Sequence, residues 1–328
     1  MVTISFGLFL QTLLVIVAVA IVRSRDLFVS VMLTGIFSLL MAGNFLILDA
    51  ADVALTEAAV GAGISTVLFL SALALTAERE KRPKIRRWVP LGVTIATTLT
   101  VVYAMLGLPP LGDGDAPVHQ HVGAFYLERT ADLIDIPNVV TAVLASFRGY
   151  DTLGEVFVVF TAGLGVLFLL GAGRTGAVPD AAHAEEIRIK QGLRHHLIPQ
   201  IVGRVLIPFI LLFALYVQFH GEYSPGGGFQ AGALFAAGII LYGLLQGERA
   251  ALRVMPPLVL RTLMVSGVLL YAGVGVVTML LGGAFLDYGV LAEDPVAGQH
   301  LGILVIELGV GLTVTGVLLS IFHAFAAR

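Results

Sequence analysis

Apolar residues fill this chain in nine long runs, at 4–22, 27–48, 53–77, 88–108, 150–171, 199–219, 229–246, 258–282 and 298–322. Each run is close to the ~20 residues that an α-helix needs to cross the hydrocarbon of a bilayer. Polar breaks separate them: RSRD at 23–26, EREKRPKIRR at 78–87, and a polar stretch from Pro109 to Pro137. The longest linker, Gly171 to His196, is charged and carries Pro179. The pattern predicts an all-α integral membrane protein with about nine transmembrane helices.

The basic residues orient it. With the N-terminus outside, the cytoplasmic loops hold Arg23, Arg25, the run from Arg79 to Arg87, Arg174, Arg188, Lys190, Arg194, Arg249 and Arg253. The outside loops hold only Arg129 and Arg148. The positive-inside rule therefore predicts an N-terminus out and a C-terminus in. Composition agrees with the membrane: 58% of residues are hydrophobic and 12% charged, with a mean hydropathy of +0.96. A soluble domain carries about twice that charged fraction. A net charge of -3 points to no nucleic-acid partner. Without cysteine there is no disulfide and no iron–sulfur ligation. No removable signal peptide is expected, because no basic residue precedes the first run and Arg23 and Arg25 follow it.

Residues 220–232 read HGEYSPGGGFQAG and fall at the outer surface, opening the seventh helix. Nothing there matches the phosphate-loop pattern GxxxxGK[ST]. A packing role is expected instead. Ser224 suits a helix cap and Pro225 a first turn. Gly226 and Gly227 lead into Gly228 and Gly232, whose spacing gives a small-xxx-small face for close helix contact.

Acids inside a span cost on the order of 3 kcal/mol by insertion scales, and they persist chiefly where they act. Asp49, Asp52 and Glu57 surround the outer turn between helices two and three. Asp52 reads as an N-cap. Glu57, about 6 Å into its helix at 1.5 Å per residue, is either a first-turn acid favoured by the helix dipole or a functional one. Gly61 and Gly63 after it suit a hinge or π-bulge. In SFRGYDTLGEVFVVF, Asp151 and Glu155 share a helix face with Arg148 within reach of Asp151. Thr152 to Glu155 also fits a capping box. An arginine beside two acids at a membrane entrance is equally suited to funnelling a proton or cation. Glu307 lies about 14 Å into the ninth helix, too deep for any cap or dipole of its own helix. It is either a packed, protonated, hydrogen-bonded glutamate or a functional acid.

The histidines are weaker signals. His119 and His121 fall in the outer loop, His183, His195 and His196 in the charged linker, and His220 and His300 at outer helix ends, where they could join a proton path. No set has metal-ligand spacing, and no flavin, quinone or other cofactor motif is present.

Four stretches carry a family resemblance. FHGEYSPGGGFQAGALF and GQHLGILVIELGVGLTV, within 199–328, resemble the B subunit of multisubunit Na+/H+ antiporters of the Mrp or Mnh type. LMAGNFLILDAADVALTEAAVGAGISTVLFLSAL, within 27–75, resembles the small D-type subunit of membrane-bound hydrogenases and the C-terminal region of the antiporter's large A-type subunit. NVVTAVLASFRGYDTLGEVFVVFTAGLGVLFLL, at 138–171, resembles the E-type subunit that follows it. These first two modules also look like the J subunit of respiratory complex I, with VGAGISTVLFL on its bulged third helix.

The resemblance implies a D-type module at 1–87, an E-type module at 88–175, a cytoplasmic linker at 176–198 and a B module at 199–328. It implies ion translocation for Asp151 and Glu155, a nearby path for the region of Glu57, and a structural role for the glycine-rich segment. A multi-pass subunit of a prokaryotic cytoplasmic membrane is expected, exchanging Na+ and H+ beside large A- and D-like subunits and small ones. Lys81, Lys84 and Lys190 are the only lysines and all fall in loops, unlike the buried lysines of a self-contained antiporter-like pump. The large A-type body is missing, so a partner must supply it. Three functions follow: an antiporter subunit lending Asp52, Glu57, Arg148, Asp151, Glu155 and Glu307 to an ion route; a pure scaffold; or an ion-coupling subunit of a hydrogenase or other complex I-like redox complex.

Overall fold

The computed structural model describes residues 2–73, 76, 79–80, 88–110, 112–171 and 197–326. Among them are nine helices long and apolar enough to span a membrane, and no strand beyond an isolated bridge between Asp26 and Arg79. They are α1 (Val2–Arg23), α2 (Leu27–Ile47), α3 (Ala51–Leu73), α4 (Trp88–Met105), α5 (Gly149–Gly171), α6 (Leu197–His220), α7 (Gly228–Gln246), α8 (Pro257–Leu280) and α9 (Pro295–Ala326). The basic residues from Lys81 to Arg87, and the linker residues Arg174, His183, Arg188, Lys190, Arg194, His195 and His196, lie outside the described residues.

Each run of the hydropathy pattern becomes one helix, with ends set by local chemistry. Asp26 caps α2, its Oδ1 accepting from the Val29 N–H at 3.1 Å. The 32 residues of α9 make it the longest helix, about 48 Å at 1.5 Å per residue. It is also the most buried span and packs on α5, α7 and α8. Small residues permit those contacts. A Cβ on Gly316 would lie 2.9 Å from the Leu260 carbonyl of α8, and one on Gly163 of α5 would lie 3.0 Å from Val317. At the other extreme, every residue of α4 is exposed.

Among the described residues, two helices contain π-helical segments. α3 is π-helical from Glu57 to Ser65, where Gly61 and Gly63 loosen it. Ahead of α5, residues 139–147 form a short helix whose segment Ala142–Phe147 is also π-helical. It stops at Arg148 (φ -124°, ψ 34°), and α5 restarts at Gly149. Two fully buried tyrosines bind carbonyls at this break: Tyr271 of α8 donates to Gly149 O at 2.8 Å, and Tyr288 donates to Ala145 O at 3.0 Å.

The structure corrects several expectations. The polar stretch from Pro109 to Pro137 is not simply a loop, for Val122–Leu133 is a helix that buries Thr130. Asp52 is no N-cap; Ala50 holds that position and Asp52 sits in the first turn. Thr152 forms no capping box with Glu155, since it lies inside α5 and donates to Leu144 O at 2.7 Å. Ser224 does not cap α7 and Pro225 is not in its first turn. The helix begins at Gly228, with Gly227 as its N-cap, and the Ser224 hydroxyl turns back to His220 O.

Candidate functional site

The α2–α3 turn, the 139–147 segment, the α6–α7 connection and the α8–α9 connection meet at one end of the bundle. Asn138 ties three of them together. Its Oδ1 accepts from Val140 N–H at 3.0 Å and Thr141 N–H at 3.4 Å, capping the short helix. Its Nδ2 donates to Gly221 O and Ser224 O, both at 3.0 Å, and to Asp52 Oδ1 at 3.4 Å. Thr141 adds a hydroxyl bond to Gly221 O at 2.7 Å.

The triple glycine has a specific use here. Gly226 N–H donates to Asp52 Oδ1 at 3.1 Å, and Gly228 N–H donates to Glu307 Oε2. Gly227 between them adopts φ 131° and ψ 176°, a region that L residues rarely enter. That backbone aims alternate N–H groups at two carboxylates, in the manner of anion-binding glycine turns and helix N-termini. So a glycine-rich turn does hold oxyanions, and they are side chains of this chain. The bond also amends the reading of Glu307. Its own helix offers no dipole at that depth, but the N-terminus of α7 does.

Asp52, Glu155 and Glu307 line one cavity of about 470 Å³ between α3, the 139–147 segment, α5, α7 and α9. Gln230 and Thr56 join its wall, linked by a 2.8 Å bond from Gln230 Nε2 to Thr56 Oγ1. Asp52 and Glu307 are half-buried, while Glu155 is exposed, so the cavity reaches the surface of the chain beside Glu155. Three carboxylates among threonine hydroxyls and an amide make a wall that can bind a cation or pass a proton, chemistry that a lipid-facing surface would not tolerate.

The other candidate acids lie elsewhere. Asp151 pairs with Arg148 at 2.5 Å at the start of α5, both side chains at least half exposed. Glu57 is not on the cavity wall. Its Oε1 lies 2.6 Å from where a Cβ would sit at Gly61, beside Ser38 Oγ of α2 at 2.7 Å from the same point. Gly61 thus makes room for both side chains, and Gly63 meets only the Ala58 carbonyl at 3.6 Å. Gly232 faces α9, where a Cβ would come within 2.7 Å of Gly311 O. Gln230, Thr56, Asn138, Thr141 and Glu222 belong to this end of the bundle and were not singled out by the sequence. For Thr56 and Gln230, a hydroxyl or amide inside a run of apolar residues was the available signal.

These features define a multi-pass helical membrane bundle with a carboxylate-lined cavity. Residues 198–320 match a family described as a domain related to the MnhB subunit of Na+/H+ antiporter. Residues 12–78 match MbhD, the D-type subunit of MBH, and residues 85–182 match MbhE, its E-type subunit. A protein described as antiporter subunit mnhB2, from Staphylococcus haemolyticus (strain JCSC1435), is 32% identical over 128 residues, covering 38% of this chain and 90% of that protein. A protein described as an A/B-type subunit of a K+/H+ antiporter, from Rhizobium meliloti (strain 1021), is 28% identical over 90% of this chain and 32% of its own length. A chain in the structure of the Mrp complex from Dietzia sp. DQ12-45-1b superposes with a TM-score of 0.77 at 30% identity, covering 97% of this chain and 34% of that one.

The chain belongs to the MnhB family of antiporter subunits and carries MbhD- and MbhE-type segments ahead of that region. It is a multi-pass prokaryotic membrane protein that spans about a third of the length of the A/B-type relative. Each segment supplies one acid to the cavity: Asp52 from the MbhD-type stretch, Glu155 from the MbhE-type stretch and Glu307 from the MnhB-type stretch.

Proposed function

We propose that this chain is a subunit of a multisubunit cation/proton antiporter, and that its cavity is one stage of a hydrated ion route completed by partner subunits. The observation that carries the reading is the convergence of Asp52, Glu155 and Glu307 on a single cavity open at Glu155. Acids brought from three segments to one cavity within a membrane bundle are costly unless they handle charge. In this reading Glu155 faces the partner and exchanges ions with it. Asp52 and Glu307, held by glycine N–H groups, stand deeper in the route. Arg148 and Asp151 guide ions at its edge, and Glu57 stands off the route on the π-helical turn of α3. Gly228 and Gly232 are the packing face that seats α7 on α9.

The modules are 1–87, 88–175 and 199–328, joined by a linker at 176–198, with the N-terminus outside. Large A- and D-type subunits and small ones are the partners, and Na+ or another monovalent cation exchanges with H+. The subunit moves ions and converts no substrate into a product. Glu155→Gln in the assembled complex should abolish cation-driven proton flux in membrane vesicles while complex abundance stays normal. Normal flux in that variant would favour a scaffold role instead.

The MBH descriptions of the first two segments favour a second reading, an ion-coupling subunit of a redox complex. Affinity purification of the native complex separates the two: co-purifying metal- or flavin-containing subunits would identify the redox assembly.

A further inference from the structure

A second cavity, of about 210 Å³, is lined by Glu222, His300, Gln218 and Thr141. Glu307 borders both cavities. Glu222 comes from the α6–α7 connection and His300 from α9, and His300 Nδ1 is 3.0 Å from Glu222 Oε2. Their side chains are 21% and 33% exposed, so this pair reaches the surface of the chain. Residues 300 and 307 are seven apart on α9, on one helix face and about 10.5 Å apart along the axis. Such a gap exceeds any direct hydrogen bond, but the cavity between them has room for several waters.

We infer that the Glu222–His300 pair is a proton port that loads Glu307 from the smaller cavity, an inference resting on the ion-route reading above. With Nδ1–H donating to the Glu222 carboxylate, Nε2 is the nitrogen left to take up and release a proton. Imidazolium Nε2–H gives its proton to a cavity water, and the water chain delivers a proton to a Glu307 carboxylate oxygen. His300 ends neutral and Glu307 ends as the neutral acid; charge is conserved and nothing is oxidised or reduced. Protonation also loosens Glu307, because the charge-assisted bond from Gly228 N–H becomes an ordinary neutral one. The released side chain can then present its proton to the larger cavity, where Asp52 and Glu155 wait. The titratable groups facing this path are Glu222, His300 and Glu307 on the smaller cavity, and Asp52 and Glu155 on the larger. Among the described residues no lysine or arginine lines either cavity. His220 is engaged elsewhere, stacked on Tyr216 at a ring separation of 4.6 Å.

The experiment is cation-driven proton flux across a pH series, in vesicles carrying the full complex, for His300→Ala, His300→Gln, Glu222→Gln and Glu155→Gln. His300→Ala should lower maximal flux by about tenfold or more, leave the cation half-saturation unchanged, and regain flux when imidazole is added to the buffer. Glu222→Gln, which keeps a hydrogen-bond acceptor and removes the charge, should move the pH profile. Parental flux and pH profile in His300→Ala overturn the port, as does a loss that imidazole does not restore and that follows complex abundance. Should His300→Ala fail to assemble, unchanged pH profiles in both His300→Gln and Glu222→Gln overturn it. The two readings fail separately. Normal transport by Glu155→Gln removes the ion route itself, whereas a dead Glu155→Gln beside a normal His300→Ala removes only the port.

Discussion

Replacing Gly227 with alanine tests whether the glycine turn is built to hold carboxylates. Its φ of 131° with ψ of 176° lies where a Cβ is strained, at a cost of about 1–3 kcal/mol. The added Cβ would also sit 3.0 Å from Glu307 Oε2 and 3.4 Å from Gln230 Oε1. The carboxylate must give way, weakening a charged hydrogen bond from Gly228 that contributes about 1.5–3 kcal/mol. Together these amount to at most about 6 kcal/mol of local destabilisation, and at least the ~1 kcal/mol of backbone strain. Gly165 and Gly273 are the controls: they lie within α5 and α8, and a Cβ on either meets nothing within 4 Å. Alanine there should stabilise by about 0.5–1 kcal/mol, through helix propensity. The measurements are the thermal midpoint of the purified complex and hydrogen exchange at the Gly228 amide. Gly227→Ala should lower the midpoint well below both controls and expose that amide. The reasoning is refuted if Gly227→Ala melts with the controls and its Gly228 amide stays protected.

Two further outcomes are expected. Tyr271→Phe and Tyr288→Phe each remove a buried hydrogen bond to a carbonyl at the α5 break, costing about 0.5–1.5 kcal/mol apiece, read as a lower thermal midpoint of the complex. Arg148→Gln removes an ion pair whose side chains are 58% and 50% exposed, so stability should change by less than about 1 kcal/mol while cation-driven flux falls; a large drop in midpoint would contradict a surface pair.

The nine spans were legible because a bilayer imposes a length and a polarity on every crossing, and both are written in single residues. The π turn after Glu57 was legible for a related reason, since two glycines in three residues mark a loosened helix. Val122–Leu133 was hidden: Glu128, Arg129 and Asp132 interrupt its apolar stripe, and a hydropathy reading dissolves it into a loop. The site itself was half visible. Intramembrane cost singles out Glu155 and Glu307 from sequence alone. Their company does not follow from it, because the bond from Gly226 to Asp52 joins residues 174 apart. Asn138 was overlooked for the same reason. A lone asparagine after a proline reads as a turn, and only the folded chain shows it tying together a cap, two carbonyls and an acid.

The cavity draws one acid from each of three family segments, and the glycine N–H groups that hold two of those acids come from only the last. No segment therefore carries the chemistry by itself. A change near Asp52 is felt first at Gly226, far along the chain, and its compensating change should arise there. Covalent fusion keeps the three contributions at one copy each and raises their effective concentration for one another. Inheritance of the pocket is thus inheritance of the whole polypeptide.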